Sequence, residues 1–474
     1  MLTWRKGACH ALNFGHPNGN PMNSPTAANP LLTGPVLPLL LRFSLPNMVA
    51  MLATALAAIA ETSYVGHFGA PALAGMALVF PFVMLQTMMS AGAMGGGVSS
   101  AISRSLGAGD AARANVLAVH ALWIGISLGL VFMLVMLQLG APMMSALGGQ
   151  GEALAQAVAY CEVAFVGSVF VWIVNTLSSV IRGSGNMRVP SVTLFVVALA
   201  QVLLAGALGL GWGPLPQLGM HGVAAGGVLA NLGGAVFLWG YLSSGRGKIR
   251  LTIRNTPLER KHLLDILRVG AVACISPFQT VLTILILTHL VATFGTEALA
   301  GYGIGTRLEF LLVPIAFAVG VASVPLVGMA IGAGNIARAR QAAWTAAAVA
   351  TAVLGVLGFI VTLVPDVWTS LYSNDATVLA SAGSYFLWAG PFYGFFGLGL
   401  SLYFSSLGAG KAVGPVIAGT LRLLVVAVGG WLLADWQSPA WMIFALVGAG
   451  MAVYGLSTVL IIKMTPWGAA HKNS

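Results

Sequence analysis

Charge is what this chain has least of. Asp, Glu, Lys and Arg make up 7% of its 474 residues, while 58% are apolar and the mean hydropathy is +0.92. A soluble chain draws about a quarter of its residues from those four types, so this one cannot clothe itself in polar groups and its exterior has to face lipid. Cysteine is scarce too: Cys9, Cys161 and Cys274 lie far apart, two of them in apolar segments. So sparse and odd a set excludes a disulfide framework and offers no metal-ligand spacing. Strand alternation of the outer-membrane barrel type does not recur, which leaves helices as the spanning solution. G-x-x-x-x-G-K-[ST], H-x-x-x-H, D-x-x-D and C-x-x-C are all missing. Direct use of ATP and a catalytic cluster at one membrane face therefore have no residues to rest on, and neither a cofactor nor a metal is expected. A channel's filter loop or rings of charge are not found either.

Apolar runs of about 20 residues, enough for a helix to cross the hydrocarbon, are abundant. Twelve are found, near 37–65, 72–102, 115–139, 153–181, 191–211, 221–243, 262–293, 298–330, 341–364, 377–407, 413–433 and 440–463. Of the 21 Lys and Arg, 19 fall at one set of ends: Arg5, Lys6, Arg42, Arg104, Arg113, Arg182, Arg188, the run from Arg246 to Arg268, Arg338, Arg340, Lys411, Lys463 and Lys472. The alternate connections, near 66–72, 140–152, 212–220, 294–297, 365–376 and 434–439, hold no basic residue, only acids such as Glu152, Glu297, Asp366, Asp375 and Asp435. Basic loops stay in the cytoplasm, so both termini are expected there, in a multi-pass protein of the inner membrane. One span more or fewer would scramble the alternation. The net charge of +10 thus reports topology, and no nucleic-acid partner is expected.

The segment V-G-H-F-G-A-P-A-L-A-G from Val65 recurs as V-A-T-F-G-T-E-A-L-A-G from Val291, an offset of 226. L-G-A-G-D-A-A-R-A at 106–114 recurs as I-G-A-G-N-I-A-R-A at 331–339, and R-G-S-G-N-M-R-V-P at 182–190 matches L-G-A-G-K-A-V-G-P at 407–415, both offset by 225. Small residues here also serve packing and tight turns, but packing does not impose one constant offset. The expected protein is all-α, with twelve transmembrane helices as two six-helix repeats related by an axis along the membrane normal and the substrate site between them. Its parts are a disordered cytoplasmic tail (1–35, too polar for a signal peptide), a lobe at 36–243, a basic cytoplasmic linker at 244–261, a second lobe at 262–463 and a cytoplasmic tail at 464–474.

At these motifs, together with the Pro-containing first segment ending A-E-T-S-Y-V-G-H-F-G and the S-S-V-I-R-G-S-G-N-M stretch at 178–187, the chain resembles the multidrug and toxic compound extrusion (MATE) family, from about residue 36 to 463. The resemblance implies two lobes around a central cavity and export of organic cations and other amphipathic compounds in exchange for H⁺ or Na⁺. It implies that Glu61, standing where Asp is more usual, belongs to a cation-coupling site in the N-terminal half, and that Pro46 is the hinge of a helix that bends. The rival readings are a snorkelling acid near the headgroups and a static proline kink.

Ionisable residues inside the membrane are expensive and are functional candidates by default. A carboxyl group in a water-lined, largely apolar cavity suits uptake and release of a proton. Glu162, Arg307, Glu309 and Arg422 form a second candidate set, a membrane-embedded polar network in which Glu309 and Arg422 are the preferred ion pair; as a structural pair it would only hold helices in register. Met84, Met88, Gln86, Tyr160, Asn175, Gln201, Gln279 and Thr280 are candidates for the substrate cavity, because polarizable and aromatic side chains suit a promiscuous pocket, though apolar residues are ordinary packing in any membrane helix. His120 and His289 read first as packing residues. The resemblance also shows departures. The acids that many members carry in the seventh and tenth helices are absent, with Gln279 and Thr280 in the seventh, and Gln201 and Ala205 stand in the fifth where some members place Asn and Asp. With that C-terminal site missing, H⁺ is favoured over Na⁺. A lipid-linked sugar flippase of the same wider superfamily is the alternative, but it needs a strongly basic cavity for pyrophosphate, and only Arg307 and Arg422 are available. A polytopic membrane enzyme leaves the repeat unexplained. A small-molecule substrate, H⁺ or Na⁺, the lipid bilayer and a monomeric state complete the expectations.

Overall fold

The computed structural model describes residues 30–253, 256–435 and 439–467. Twelve long helices follow one another: α1 (Val36–Gly66), α2 (Ala70–Gly107), α3 (Ala111–Ala146), α4 (Gly151–Val166 and Ser168–Gly183), α5 (Arg188–Leu210), α6 (Gly219–Ser243), α7 (Arg260–Ala292), α8 (Thr296–Gly332), α9 (Ile336–Leu363), α10 (Ala376–Ala389, the turn Gly390–Phe392, and Tyr393–Gly408), α11 (Val413–Asp435) and α12 (Ala440–Met464). Ten of them are long and apolar enough to span a bilayer alone, and α4 makes an eleventh although its two pieces meet at 47°. The expected segment 377–407 is α10, interrupted by its 3₁₀ turn. Among the described residues there is no strand.

The repeat is visible in the backbone. Gly69 and Gly295 share φ 95° and 99°, Gly109 and Gly334 share 80° and 74°, and Gly185 and Gly410 share 85° and 76°. These left-handed turns, which only glycine adopts freely, lie one in each of the three repeated motifs. The helix starts that follow the second pair match as well: Asp110 and Asn335 cap α3 and α9 by accepting from Arg113 N at 2.8 Å and Arg338 N at 3.0 Å.

The repeats are swapped at the end where the basic residues gather. The first half of α1 leaves its own lobe and packs on α8 and α9, where Leu40 and Phe43 join the core of Ala339, Ala343 and Ala346. Correspondingly, the first half of α7 packs on α2 and α3, and Ile266 joins the core of Val98, Leu117 and Leu122. Equivalent arginines hold both crossings. Arg113 pairs with Asp265 of α7, while Arg338 donates to the carbonyls of Leu31 at 2.9 Å and Gly34 at 2.6 Å ahead of α1. Residues Pro30–Thr33 form a helical turn with Leu31 buried, and residues 260–273 pack on α2 and α3. Arg5, Lys6, Cys9 and the rest of residues 1–29, together with Arg254 and Lys472, lie outside the described residues. The linker is docked, with Ile249 and Leu251 buried and Arg250 N donating to Asn115 Oδ1 at 2.8 Å.

At this same end the lobes touch through backbone. Ser100 Oγ of α2 donates to Gly408 O of α10 at 3.1 Å. A Cβ on Gly107 would stand 2.2 Å from Met329 O, and one on Gly332 would stand 2.0 Å from Arg104 O. Only glycine permits so close an approach.

Candidate functional site

Between the lobes lies a cavity of about 640 Å³, walled by α1, α2 and α4–α12. Gly92 and Ala93 of α2 and Phe317 and Phe404 of the other lobe line it; the two phenylalanine rings meet edge to face at 4.8 Å, and a Cβ on Gly92 would be 3.1 Å from Phe317. Phe80 and Phe310 reach towards each other from opposite lobes, 6.0 Å apart and edge to face. All eight expected cavity residues (Met84, Met88, Gln86, Tyr160, Asn175, Gln201, Gln279 and Thr280) line this space.

Glu61 lines it too, from α1, and is only 4% exposed. Gln201 Nε2 of α5 donates to Glu61 Oε1 at 2.9 Å. Gly227 of α6 packs beside the pair, and a Cβ there would lie in ordinary contact, 3.7 Å from Glu61 Oε1 and 3.6 Å from Gln201 Nε2. Tyr160 of α4 is close enough to feel the carboxylate. Asn231, one turn past Gly227, donates to the Gly227 carbonyl at 2.9 Å and faces the cavity. Sequence reasoning passes over Asn231; an amide in an otherwise apolar helix was the available signal.

In α2 the residues Met88–Met94 form a π-helical turn, a distortion often found at functional sites. It is braced from α4: Asn175 Nδ2 donates to Ser90 Oγ at 2.8 Å, and Ser90 Oγ donates to Gln86 O at 2.7 Å. Ser179 Oγ donates to Asn175 O at 2.7 Å, and Arg182 Nη2 donates to Ser179 Oγ at 2.9 Å. The polar spine thus runs from the cavity to the basic end. Nothing in the spacing of the sequence marks the turn.

The expected polar network is not assembled. Glu162 is exposed on the outside of the bundle, and exposed Arg307 lies with its guanidinium 4.9 Å over the ring of Tyr372. Neither lines the cavity. The preferred pair fails as a contact, because Glu309 and Arg422 both face the cavity but no ion pair joins them within 4.0 Å. Glu309 instead accepts a hydrogen bond from the hydroxyl of Tyr385, a donor that satisfies it without desolvating a second charge. Arg422 sits over the rings of Phe396 at 5.6 Å and Tyr454 at 5.8 Å. Gln279 Nε2 is occupied by Thr420 Oγ1 at 2.8 Å and Val416 O at 3.3 Å, tying α7 to α11. His120 is fully buried between Val116 O at 2.8 Å and Glu259 N at 2.9 Å, far from the cavity wall, and His289 is exposed. Pro46 lies within an uninterrupted α1.

Two duplicated six-helix lobes, swapped through their first helices and enclosing a mostly apolar cavity with a buried carboxyl group in its wall, are the architecture of a repeat-built membrane transporter. The family model MatE matches the chain twice, over residues 46–205 and 273–432, and the chain belongs to that family. A FAD transporter from Shewanella oneidensis is 28% identical over 66% of this chain and 69% of its own length. The probable multidrug resistance protein NorM of Thermotoga maritima is 25% identical over 80% of this chain and 81% of its own. A solved MOP superfamily transporter from Pyrococcus furiosus superposes with a TM-score of 0.85, at 23% identity, over 92% of this chain and 97% of that one.

Proposed function

We propose that the protein is a cation-coupled antiporter, driven by H⁺ in preference to Na⁺, that exports organic cations, drugs or other amphipathic small molecules by alternating access. The observation that carries this reading is Glu61, a buried carboxyl group in the cavity wall whose one hydrogen bond comes from Gln201 at 2.9 Å. A proton needs a single oxygen, and Glu61 keeps one free of the Gln201 bond, whereas a hard cation takes several oxygen ligands. A proton and a cationic substrate competing for one carboxylate is the simplest form of exchange. The NorM relative, a probable multidrug resistance protein, agrees with this reading. The flippase alternative loses ground, since among the described residues Arg422 is the only basic side chain lining the cavity.

On this reading the basic end faces the cytoplasm of a cell's inner membrane, and the glycine-lined contact between lobes is the cytoplasmic seal. The test is export of a cationic dye from reconstituted vesicles under an imposed H⁺ or Na⁺ gradient, wild type beside Glu61→Gln. Proton-driven export that the variant loses is expected, because glutamine accepts the Gln201 bond but carries no titratable proton. Sodium-driven export, or full export by Glu61→Gln, would sink the mechanism.

A further inference from the structure

The cavity holds one charged group that the coupling reading does not use. Half-buried Arg104 and buried Arg182 are spoken for: Arg104 Nε donates to Ser100 O at 3.3 Å and Arg182 Nη2 to Ser179 Oγ at 2.9 Å. Arg422 differs. It lines the cavity, lies over the rings of Phe396 and Tyr454, and has neither a hydrogen bond nor an ion pair within 4.0 Å among the described residues. Glu309 lines the same cavity, and one of its carboxylate oxygens accepts from the hydroxyl of Tyr385.

The fold does not need a charge at this place. Arg422 lies 225 residues after Val197, its counterpart in the first repeat, and Val197 lines the cavity from the other lobe with an aliphatic side chain. A guanidinium whose faces meet rings keeps its in-plane N–H groups for another partner. In a largely apolar wall those groups are costly to leave unmatched. The chemistry that satisfies them is a planar or tetrahedral oxyanion bound through two oxygens. The aromatic side chains beside it (Phe396, Tyr454) suit a ring system attached to that anion.

We propose that Arg422 is an anion-recognising subsite of the cavity, so that the transported compound carries a carboxylate or phosphate on an aromatic scaffold, with any cationic portion left to the wall around Glu61. This rests on the cavity being the transport site and specifies its substrate class. The two polar ends occupy non-equivalent positions of the two repeats, since Glu61 corresponds to Leu287 and Arg422 to Val197. A substrate with charge at one end only would leave one of them idle.

The test measures binding to the full-length protein in detergent with two matched dye pairs, read by fluorescence anisotropy. Rhodamine 110 differs from its methyl ester, rhodamine 123, by a free carboxylate; flavin mononucleotide differs from riboflavin by a phosphate. The acid member of at least one pair should bind roughly tenfold or more tightly than its partner, as a charge-assisted hydrogen bond implies. A preference in the first pair identifies a carboxylate, and in the second a phosphate. Arg422→Gln should bring the ratio to about one, and Arg422→Lys, which keeps the charge but loses the fork, should restore only part of it. If Arg422→Gln fails to fold, the drop in ratio for Arg422→Lys carries the test. Equal binding within both pairs, or a preference that survives Arg422→Gln and Arg422→Lys, overturns the proposal. Glu61→Gln separates the two readings: loss of gradient-driven export with the acid preference intact leaves this subsite standing, whereas intact export overturns only the coupling mechanism.

Discussion

Replacing Gly332 by alanine should pry the lobes apart at the basic end. The added methyl would sit 2.0 Å from Arg104 O and 2.9 Å from Ala108 N, both backbone atoms of the opposite lobe, so no side chain can swing aside. Ordinary contact begins at 3.4 Å, and the two helices must separate by about 1.4 Å to reach it. Overpacking of this sort costs roughly 1–3 kcal/mol. Because Gly332 and Arg104 belong to different repeats, the cost falls on the state in which this end is shut. The equilibrium between shut and open should then shift by about 5- to 150-fold towards open. Ala112 and Ala337 are exposed, equivalent positions at the starts of α3 and α9. Cysteines there, in a background without the native three, accept spin labels for pulsed electron paramagnetic resonance. A longer-distance population should grow in Gly332→Ala. Gly303→Ala, in the same α8 with nothing within 4 Å of the new methyl, is the control and should leave the distances alone while gaining helix propensity. Identical distance distributions in Gly332→Ala and wild type would refute the assignment of this contact as the seal.

Three further outcomes are expected. The caps at equivalent helix starts should behave alike: Asp110→Ala and Asn335→Ala should each cost about 0.5–2 kcal/mol in denaturant or thermal unfolding, and additively, being in separate lobes. Asn175→Leu and Ser90→Ala each remove one side of the brace on the π-turn, at about 1 kcal/mol, and the double variant should cost less than the sum; full additivity would place the brace elsewhere. At the opposite end of the molecule, the Thr377 hydroxyl and the Thr377 and Val378 N–H groups hold the exposed Asp375 carboxyl below its ordinary range. A depressed folded value stabilises above the unfolded one and is lost as pH falls through the folded one. The melting temperature of wild type should therefore fall on acidification relative to Asp375→Asn, and parallel curves would contradict the cap.

What could be read in the sequence is what repeats or what is costly. Apolar runs and the alternation of basic ends follow from the price of polar groups in lipid, so twelve helices and their grouping were legible. The three motifs at offsets of 225 and 226 were legible because each contains a glycine at positive φ, a conformation that ties residue type to backbone shape. Glu61 stood out as an acid in an apolar helix. Other features arise only when helices meet. Glu162 and Glu309 look alike in sequence, each an acid within an apolar segment, yet one turns outward and the other faces the cavity; in a helix that is apolar all round, periodicity has no polar face to report. The pairing of Glu309 with Tyr385 instead of Arg422, the amide of Gln201 on Glu61 and the crossing of α1 and α7 between lobes are likewise set by contacts across 76 residues or more.

The duplicated scaffold and the cavity chemistry obey opposite rules. Where the chain turns, caps or clamps, equivalent positions keep equivalent jobs: Asp110 with Asn335, and Arg113 with Arg338, each arginine gripping the helix start that crosses from the other lobe. Where the chain faces the cavity, equivalence is broken. Glu61 meets Leu287, Val83 meets Glu309 and Val197 meets Arg422, and all six of these side chains line the same space. A symmetric wall would present two identical half-sites and no direction to a bound molecule. The symmetric features are the crossings, which match in the two repeats. Making the walls unlike places a carboxyl group on one lobe and a guanidinium on the other. Exchanging the polarity, with Glu61→Leu and Leu287→Glu together, should therefore leave the fold intact while abolishing coupled export, because Leu287 has no counterpart of Gln201: the equivalent residue is Val426.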